Sequence, residues 1–364
     1  MNTNINKRIA ALIASLLIIS TASFSQLDAV NGDFFKGGVN DGIKLLQSYV
    51  TPWANAFGAG FNGGWYNTAK PHKFGGFDIT ISGNVGFVPS SAQTVDLSKL
   101  GFQSLSIDPS GGSISPTIAG TTEMGPQLHA MAGSVELASF RAPAGLNLTF
   151  IPVPILQAGI GLPLGTELKV RYFPNISVNG YKIGIWGLGL EHSIMQYFPG
   201  YNMLPFDISV FGGYSKLTSS IPISVQPSVS GAKINYSSAY TTASFLNQAI
   251  GTTIEAWNIS AIGSVKLAVL TFYGGLGYSK TNTTLELIGN FPLPRVNPNI
   301  TETERILYDD EGVKKNIPSV EIPNISGLRA NIGMRLKLGI LTLHGDYTRS
   351  QYNVVSGGIG FSFR

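Results

Sequence analysis

From Leu328 to Leu338 apolar and polar residues alternate without a break. Leu328, Ala330, Ile332, Met334, Leu336 and Leu338 fall on one face, and Arg329, Asn331, Gly333, Arg335 and Lys337 on the other. A period of two means a β-strand with one greasy and one wet face. The stretch is also as long as a membrane strand, which takes about 9–11 residues. The pattern recurs after the short turn Gly339-Ile340, with Leu341, Leu343 and Tyr347 against Thr342, His344, Asp346 and Thr348, and again in the closing segment with Val355, Ile359, Phe361 and Phe363.

Charged residues make up only 12% of the 364-residue chain and hydrophobic ones 43%. That charge content is about half of what a soluble domain carries, so much of the surface is expected not to face water. No stretch downstream of the N-terminus is long and apolar enough for a membrane helix, and a closed barrel is the other structure that satisfies every backbone group in lipid.

The N-terminus reads as an export signal. Lys7-Arg8 precede the apolar run Ile9–Ser20, and Ser23-Phe24-Ser25 before Gln26 has the small-x-small form of a cleavage site. Residues 1–25 are therefore expected to be removed near Ser25-Gln26, and the twelve apolar residues are too few to span a bilayer. The chain has no Cys, which excludes thiol chemistry. Two of the basic residues behind the net charge of +4 lie in this leader and no basic run follows it, so no nucleic-acid partner is expected.

Working backwards, further strands are expected near 269–280, 252–265, 206–217, 181–191, 166–173, 156–162, 145–153, 128–140 and 76–88. The total is 12, or 14 if the long loops hide two more. Connections near 339–340, 266–268, 163–165 and 141–144 are short, with 192–205 the longer exception. Those near 89–127, 218–251 and 281–325 are long. Short turns on one side and long loops on the other are the pattern of outer-membrane barrels, with both ends in the periplasm. The expected fold is thus all-β: a transmembrane antiparallel barrel over 76–364. A soluble β-sandwich alternates too, but charge depletion and loop asymmetry favour the barrel.

Residues 26–75 do not alternate. Asp41–Tyr49 fits a short helix with Asp41 as N-cap and Pro52 beyond its end. Trp53, Phe57, Phe61 and Trp65 follow among glycines; such a segment can fill the lumen as a helical plug or hang in the periplasm as a tether, and clustered aromatics, which favour burial, point to the plug. These four aromatics are the candidate hydrophobic ligand site. Lys169, Arg171, Arg329, Arg335, Lys337 and Asp346 are expected to form a polar lumen wall, with Asp78, Glu136, Glu167, Lys182 and Asp207 as further inward charges. Pro152 and Pro154 interrupt the pattern where the third and fourth strands would meet. Proline cannot donate to a ladder, so either a tight extracellular connection or a local break in the wall, with a lateral exit for apolar ligands, is expected there. His344 and Asp346 share a strand face, but no His lies in a metal-spaced pair or beside a nucleophile motif, so neither metal, cofactor nor enzymatic activity is expected.

The layout of a Gly-rich helical start, a barrel and a C-terminal aromatic strand resembles the FadL-type long-chain fatty acid transporters. More closely, Leu164–Leu217 is similar to a FadL-like family of unknown function, through Arg171-Tyr172-Phe173-Pro174, Gly184–His192, Gln196–Pro199 and Pro205–Tyr214. The resemblance implies passive uptake of small hydrophobic molecules such as fatty acids across a Gram-negative outer membrane, contact with its lipid, and recognition of the last strand by the barrel assembly machinery. The chain departs from the transporters in having Asn55-Ala56-Phe57 where their hatch carries Asn-Pro-Ala. A structural or surface-binding barrel that uses its long loops is the alternative, and a lipid-acting enzyme ranks last.

Overall fold

The computed structural model describes residue 35 and residues 38–363, apart from 179, 201–203, 228–231, 300–303, 305 and 316. The expected export signal lies outside these residues. Ten strands close into a barrel: β1 (Phe77–Phe87), β2 (Phe150–Leu162), β3 (Thr166–Val178), β4 (Tyr181–Ser193), β5 (Phe206–Ile223), β6 (Gln248–Leu267), β7 (Leu270–Ile288), β8 (Val320–Leu338), β9 (Leu341–Arg349) and β10 (Val354–Phe363). Each pairs antiparallel with its neighbours in sequence, and β1 meets β10 in register from Phe77↔Phe363 to Gly86↔Val354.

The wall is inverted relative to a soluble protein. On β1 the outward Phe77, Ile79 and Ile81 are exposed, while the inward Asp78, Thr80, Ser82 and Asn84 are buried. The same inversion places Leu328, Ile332 and Met334 outside and Arg329 and Arg335 inside. Each large apolar side chain left in water forgoes about 1.5–3 kcal/mol of burial, so a belt of this size is the surface of a membrane barrel. Aromatic side chains border it. Phe77 and Phe363 stack at 4.7 Å near one rim, and the pairs Trp186–Tyr214 and Trp257–Tyr278 lie toward the other. One step beyond Tyr214 and Trp257 the outward residues become the ion pair Lys216–Glu255, at 3.0 Å, which marks the polar edge of the belt.

The strand count corrects the expectation of 12 to 14. Residues 128–140 alternate because they form a hairpin, Gln127–Ala132 with Val135–Arg141, that packs one face on a separate core outside the wall. Residues 145–153 and 156–162 are not two strands, since β2 runs straight through both prolines. The segment 141–144 is consequently no short turn between wall strands. The short connections around 163–165, 268–269 and 339–340 share one rim with 194–205 (the turn rim); the long connections 88–149, 224–247 and 289–319 share the opposite one (the loop rim) with the short links after β3 and β9.

The long loops fold into a cap over the loop rim. Small sheets built from Thr94–Asp96, Ile114–Pro116, Leu105–Ile107, Ala232–Asn235 and Ile306–Asp309 surround a core of Leu97, Ile118, Leu128, Phe140 and Phe291. That core also takes Leu45, Leu46, Tyr49 and Val50 from the one long helix among the described residues, α1 (Val39–Phe61). Glu136, expected on the lumen wall, belongs to this cap, and Lys182 is exposed on the outer side near the end of the wall.

Helix α1 is longer than expected. Gly38, not Asp41, is its N-cap, and Pro52 sits inside it. A proline in a helix interior removes one backbone bond and costs about 3 kcal/mol when nothing offsets it. Here the turn around it is buried between the cap core and the barrel lumen, and Thr51 Oγ1 donates to the Gln47 carbonyl at 2.6 Å. Asp41 has another use: its buried carboxylate accepts from the backbone amides of Gln103, Ser104 and Leu105 at 2.6–3.0 Å, tying the first turn of α1 to the cap.

Candidate functional site

The arm formed by α1 and residues 62–76 passes down the whole lumen, from the cap to the start of β1 at the turn rim. Three levels of contact define what it can do.

The upper level is apolar. Phe57 and Phe61 of α1 pack with Ile151, Val153 and Ile155 of β2, Phe173 of β3, Ile185 of β4, Leu217 of β5 and Ile254 of β6. The helix lies so close to the wall that Gly60 faces Val153, and a Cβ on Gly86 of β1 would overlap the Ala56 carbonyl. Trp53, half-buried above, stacks toward Phe57 at 5.6 Å, and Phe57 toward Phe61 at 5.9 Å. Three of the four expected aromatics thus share one apolar column. Trp65 is separate, lying below with Phe211 at 5.4 Å.

Beside this layer the wall is unzipped. The ladder between β2 and β3 runs from Leu162↔Thr166 to Gln157↔Arg171 and stops there. Above it, Phe150–Leu156 pair only with β1, and Tyr172–Val178 only with β4 across a bulge between Phe173 and Ile176. The prolines lie on this edge for a geometric reason. The Phe87 amide donates to Asn353 on the β10 side, and backbone groups two residues apart on a strand point the same way, so those of Val85 and Gly83 also face β10. Their partners on β2 are Pro152 and Pro154. Both prolines therefore turn their nitrogens toward β3, where an N–H would otherwise call for a partner. Outside the seam Phe150, Leu156 and Tyr172 are exposed within the apolar belt, and inside it stand Ile151, Val153, Ile155 and Phe173.

The middle level is a polar collar around the end of α1. The last carbonyls of a helix lack intrahelical partners and carry the negative end of its dipole. Here the carbonyls of residues 60–63 find donors on wall strands. Asn84 of β1 donates to Gly60 at 2.9 Å, and Arg171 of β3 to Phe61 and Gly63 at 2.8 and 2.7 Å. Arg329 of β8 and Asn258 of β6 donate to Asn62 at 2.7 and 3.1 Å. Arg171 is fully buried, lies 3.6 Å over the Trp65 ring and is held by Gln157 Oε1 at 3.0 Å. Among the described residues neither arginine forms an ion pair, so the helix end is their counter-charge.

The lower level is ionic. Lys169 Nζ bridges Glu167 and Glu191 at 2.7 and 3.1 Å, and His72 of the arm meets Glu167 through both its amide and Nδ1 at 2.8 Å. Asp346 accepts the Tyr273 hydroxyl at 3.0 Å rather than contacting His344, and Lys337 donates to Ser362 at 2.9 Å. Glu167 is among the inward charges expected from the sequence; His72, which lies on the arm and on no strand, is not a candidate there, nor are Glu191 and the collar amides Asn84, Gln157 and Asn258 on the wall strands. Their one signal is an inward position on an alternating strand, which they share with many serines and threonines.

A family model described as a family of unknown function, DUF6588, matches residues 5–363. The chain belongs to that family. No curated protein matches the sequence. Among solved structures the chain is similar in fold to the attachment invasion locus protein Ail of Yersinia pestis, at 9% identity and TM-score 0.25 over 80% of this chain and 99% of that one. It is likewise similar to the outer membrane protease OmpT of Escherichia coli, at 9% identity and TM-score 0.27 over 79% and 97%. A third is a deletion mutant of the monoaromatic hydrocarbon channel TodX, at 8% identity and TM-score 0.24 over 86% and 94%. The assignment shows a family of unknown function; it does not show the FadL-like kinship expected from the sequence, and carries no ligand with it.

Proposed function

We propose that this DUF6588 barrel sits in the outer membrane of a Gram-negative bacterium and passes small hydrophobic molecules, fatty acids among them, between its lumen and the surrounding lipid. The observation that carries this reading is the unzipped edge between β2 and β3, with an apolar layer of Phe57, Phe61, Ile151, Val153 and Ile155 directly behind it. An apolar solute leaving there enters the membrane without crossing water. The arm, held by the collar, is the gate, and Trp53, Phe57 and Phe61 are the surface that a ligand displaces or shares. The resemblance to long-chain fatty acid transporters supports the same cargo class. No hydrolytic step is part of the proposal.

Replacing both Pro152 and Pro154 by Thr restores two donors to the β2 edge, and is expected to zip the seam and lower uptake of a fluorescent fatty acid by cells at least severalfold. Unchanged uptake in a correctly assembled variant would remove the lateral exit from the proposal. Mass spectrometry of the purified barrel is expected to find bound fatty acid. Its absence, with no displacement of a fluorescent fatty acid, would remove the cargo.

Orientation follows from loop asymmetry: the turn rim faces the periplasm and the capped rim the cell surface. Since the chain has no Cys, single cysteines report this directly. Asn40→Cys, exposed beside the cap, is expected to react with a membrane-impermeant maleimide on intact cells. Lys73→Cys, exposed at the turn rim, is expected to react only after permeabilisation. The reverse pattern would invert the barrel.

A surface-binding role is the second reading. It is favoured by the cap, whose loops form small sheets over a common core instead of standing free.

A further inference from the structure

We propose that His72, Asp78 and Glu167 form a site for one divalent transition-metal ion of the zinc type, pinning the arm to the wall at the turn rim. The three residues come from the arm, β1 and β3, and their ligand atoms lie within 4.8 Å of one another. His72 Nδ1 stands 2.8 Å from Glu167 Oε2 and 4.0 Å from Asp78 Oδ1. One imidazole nitrogen with two carboxylate oxygens is a donor set that zinc accepts, and it leaves a fourth position for water.

The surroundings favour a cation. Asp78 and Glu167 approach each other over Gly159 of β2, where any Cβ would collide with an oxygen of both. Glu191 of β4, opposite Glu167 in the ladder and fully buried, is met among the described residues by no polar hydrogen other than those of the Lys169 ammonium. Its one ion pair, to Lys169 at 3.1 Å, is shared with Glu167. Three carboxylates therefore surround a single directly paired lysine, and an excess of buried negative charge is costly unless a cation offsets it. Arg335 of β8 faces this group but forms no ion pair with it among the described residues.

The outer shell is also in place. His72 Nε2 lies 3.0 Å from Ser362 Oγ of β10, which also accepts from Lys337. With the Nε2 proton donated to that hydroxyl, Nδ1 presents its lone pair to the metal, which is how ligating histidines are oriented. Lys169 remains on the second oxygen of Glu167 and limits the charge of the carboxylate group. Metal binding then removes no existing contact except the Nδ1–Glu167 hydrogen bond, which a metal bridge between the same two atoms replaces.

The test uses the full mature barrel in detergent, stripped with a chelator and titrated with Zn2+ alone, with Co2+ as a spectroscopic probe. Saturable uptake of one ion per chain is expected, with the visible bands of a cobalt site holding nitrogen and oxygen donors. His72→Ala and Asp78→Asn, each checked for heat-modifiable migration, are each expected to weaken uptake by more than about tenfold. Asp78→Asn changes one atom and decides the matter if His72→Ala fails to assemble. No saturable uptake, or uptake equal to that of the parent in an assembled variant, overturns the site and leaves an ion-pair network. Fatty acid uptake plays no part in the readout, so the proposal stands or falls separately from the transport reading.

Discussion

Replacing Arg171 by leucine is expected to loosen the arm and raise the ion conductance of the barrel in planar bilayers. The substitution removes the donors to the Phe61 and Gly63 carbonyls and to Gln157 Oε1, and strips the cation from the Trp65 ring. Hydrogen bonds from a charged donor contribute about 1.5–3 kcal/mol each, and the carbonyls left behind are buried at the negative end of a helix. A net loss of about 3–5 kcal/mol shifts the ratio of docked to undocked arm by roughly a hundred- to a few-thousandfold. Arg171→Lys is expected to fall between, because an ammonium keeps the charge but cannot fork across two carbonyls. Bilayer recordings and unfolding on SDS gels check the series. An Arg171→Leu barrel as quiet and as heat-resistant as the parent would show that the collar does not hold the arm.

A comparable effect is expected from one methyl group on β1. A Cβ on Gly86 would overlap the backbone carbonyl of Ala56, and neither backbone yields as a flexible side chain would. Gly86→Ala therefore pushes α1 off the wall or bends β1, at a cost of about 1–3 kcal/mol or more. Gly83, on the same strand, has open space where its Cβ would stand. Gly83→Ala is the matched control and is expected to leave conductance and stability near those of the parent. Equal behaviour of the two variants would mean that the close approach of helix and wall is not structurally important.

The wall was largely legible because a membrane strand writes its two faces into consecutive residues, as in Leu328–Leu338. The count was not, because one-sided burial gives the same alternation whether the wet face lines a lumen or a hairpin covers a cap, as 128–140 does. Proline at 152 and 154 ends no strand. Its nitrogen faces an edge without a ladder, which is a property of the neighbour and not of the local sequence. At Pro52 the helix continued for a related reason, since burial on both sides of it lies in partners far along the chain. Within the candidate site, Arg171 and Arg329 stood out by charge on inward positions. Asn84, Gln157 and Asn258 did not, because a neutral amide at such a position is indistinguishable from filler until the helix end it caps is in view. His72 and Glu167, 95 residues apart, belong to no spacing motif, and ring closure alone brings them together.

The course of the arm also sets the order in which this molecule can be made. The arm is continuous with β1, the first strand of the wall, and β1 must find β10, the tenth, before the ring shuts. At the other end α1 shares its core with a cap far wider than a helix. A hoop that had already closed could not have this rod slipped through it afterwards. The sheet must instead be rolled around the arm as a cooper bends staves around a core. If the arm docks first, the final β1–β10 contact seals the contents as well as the wall.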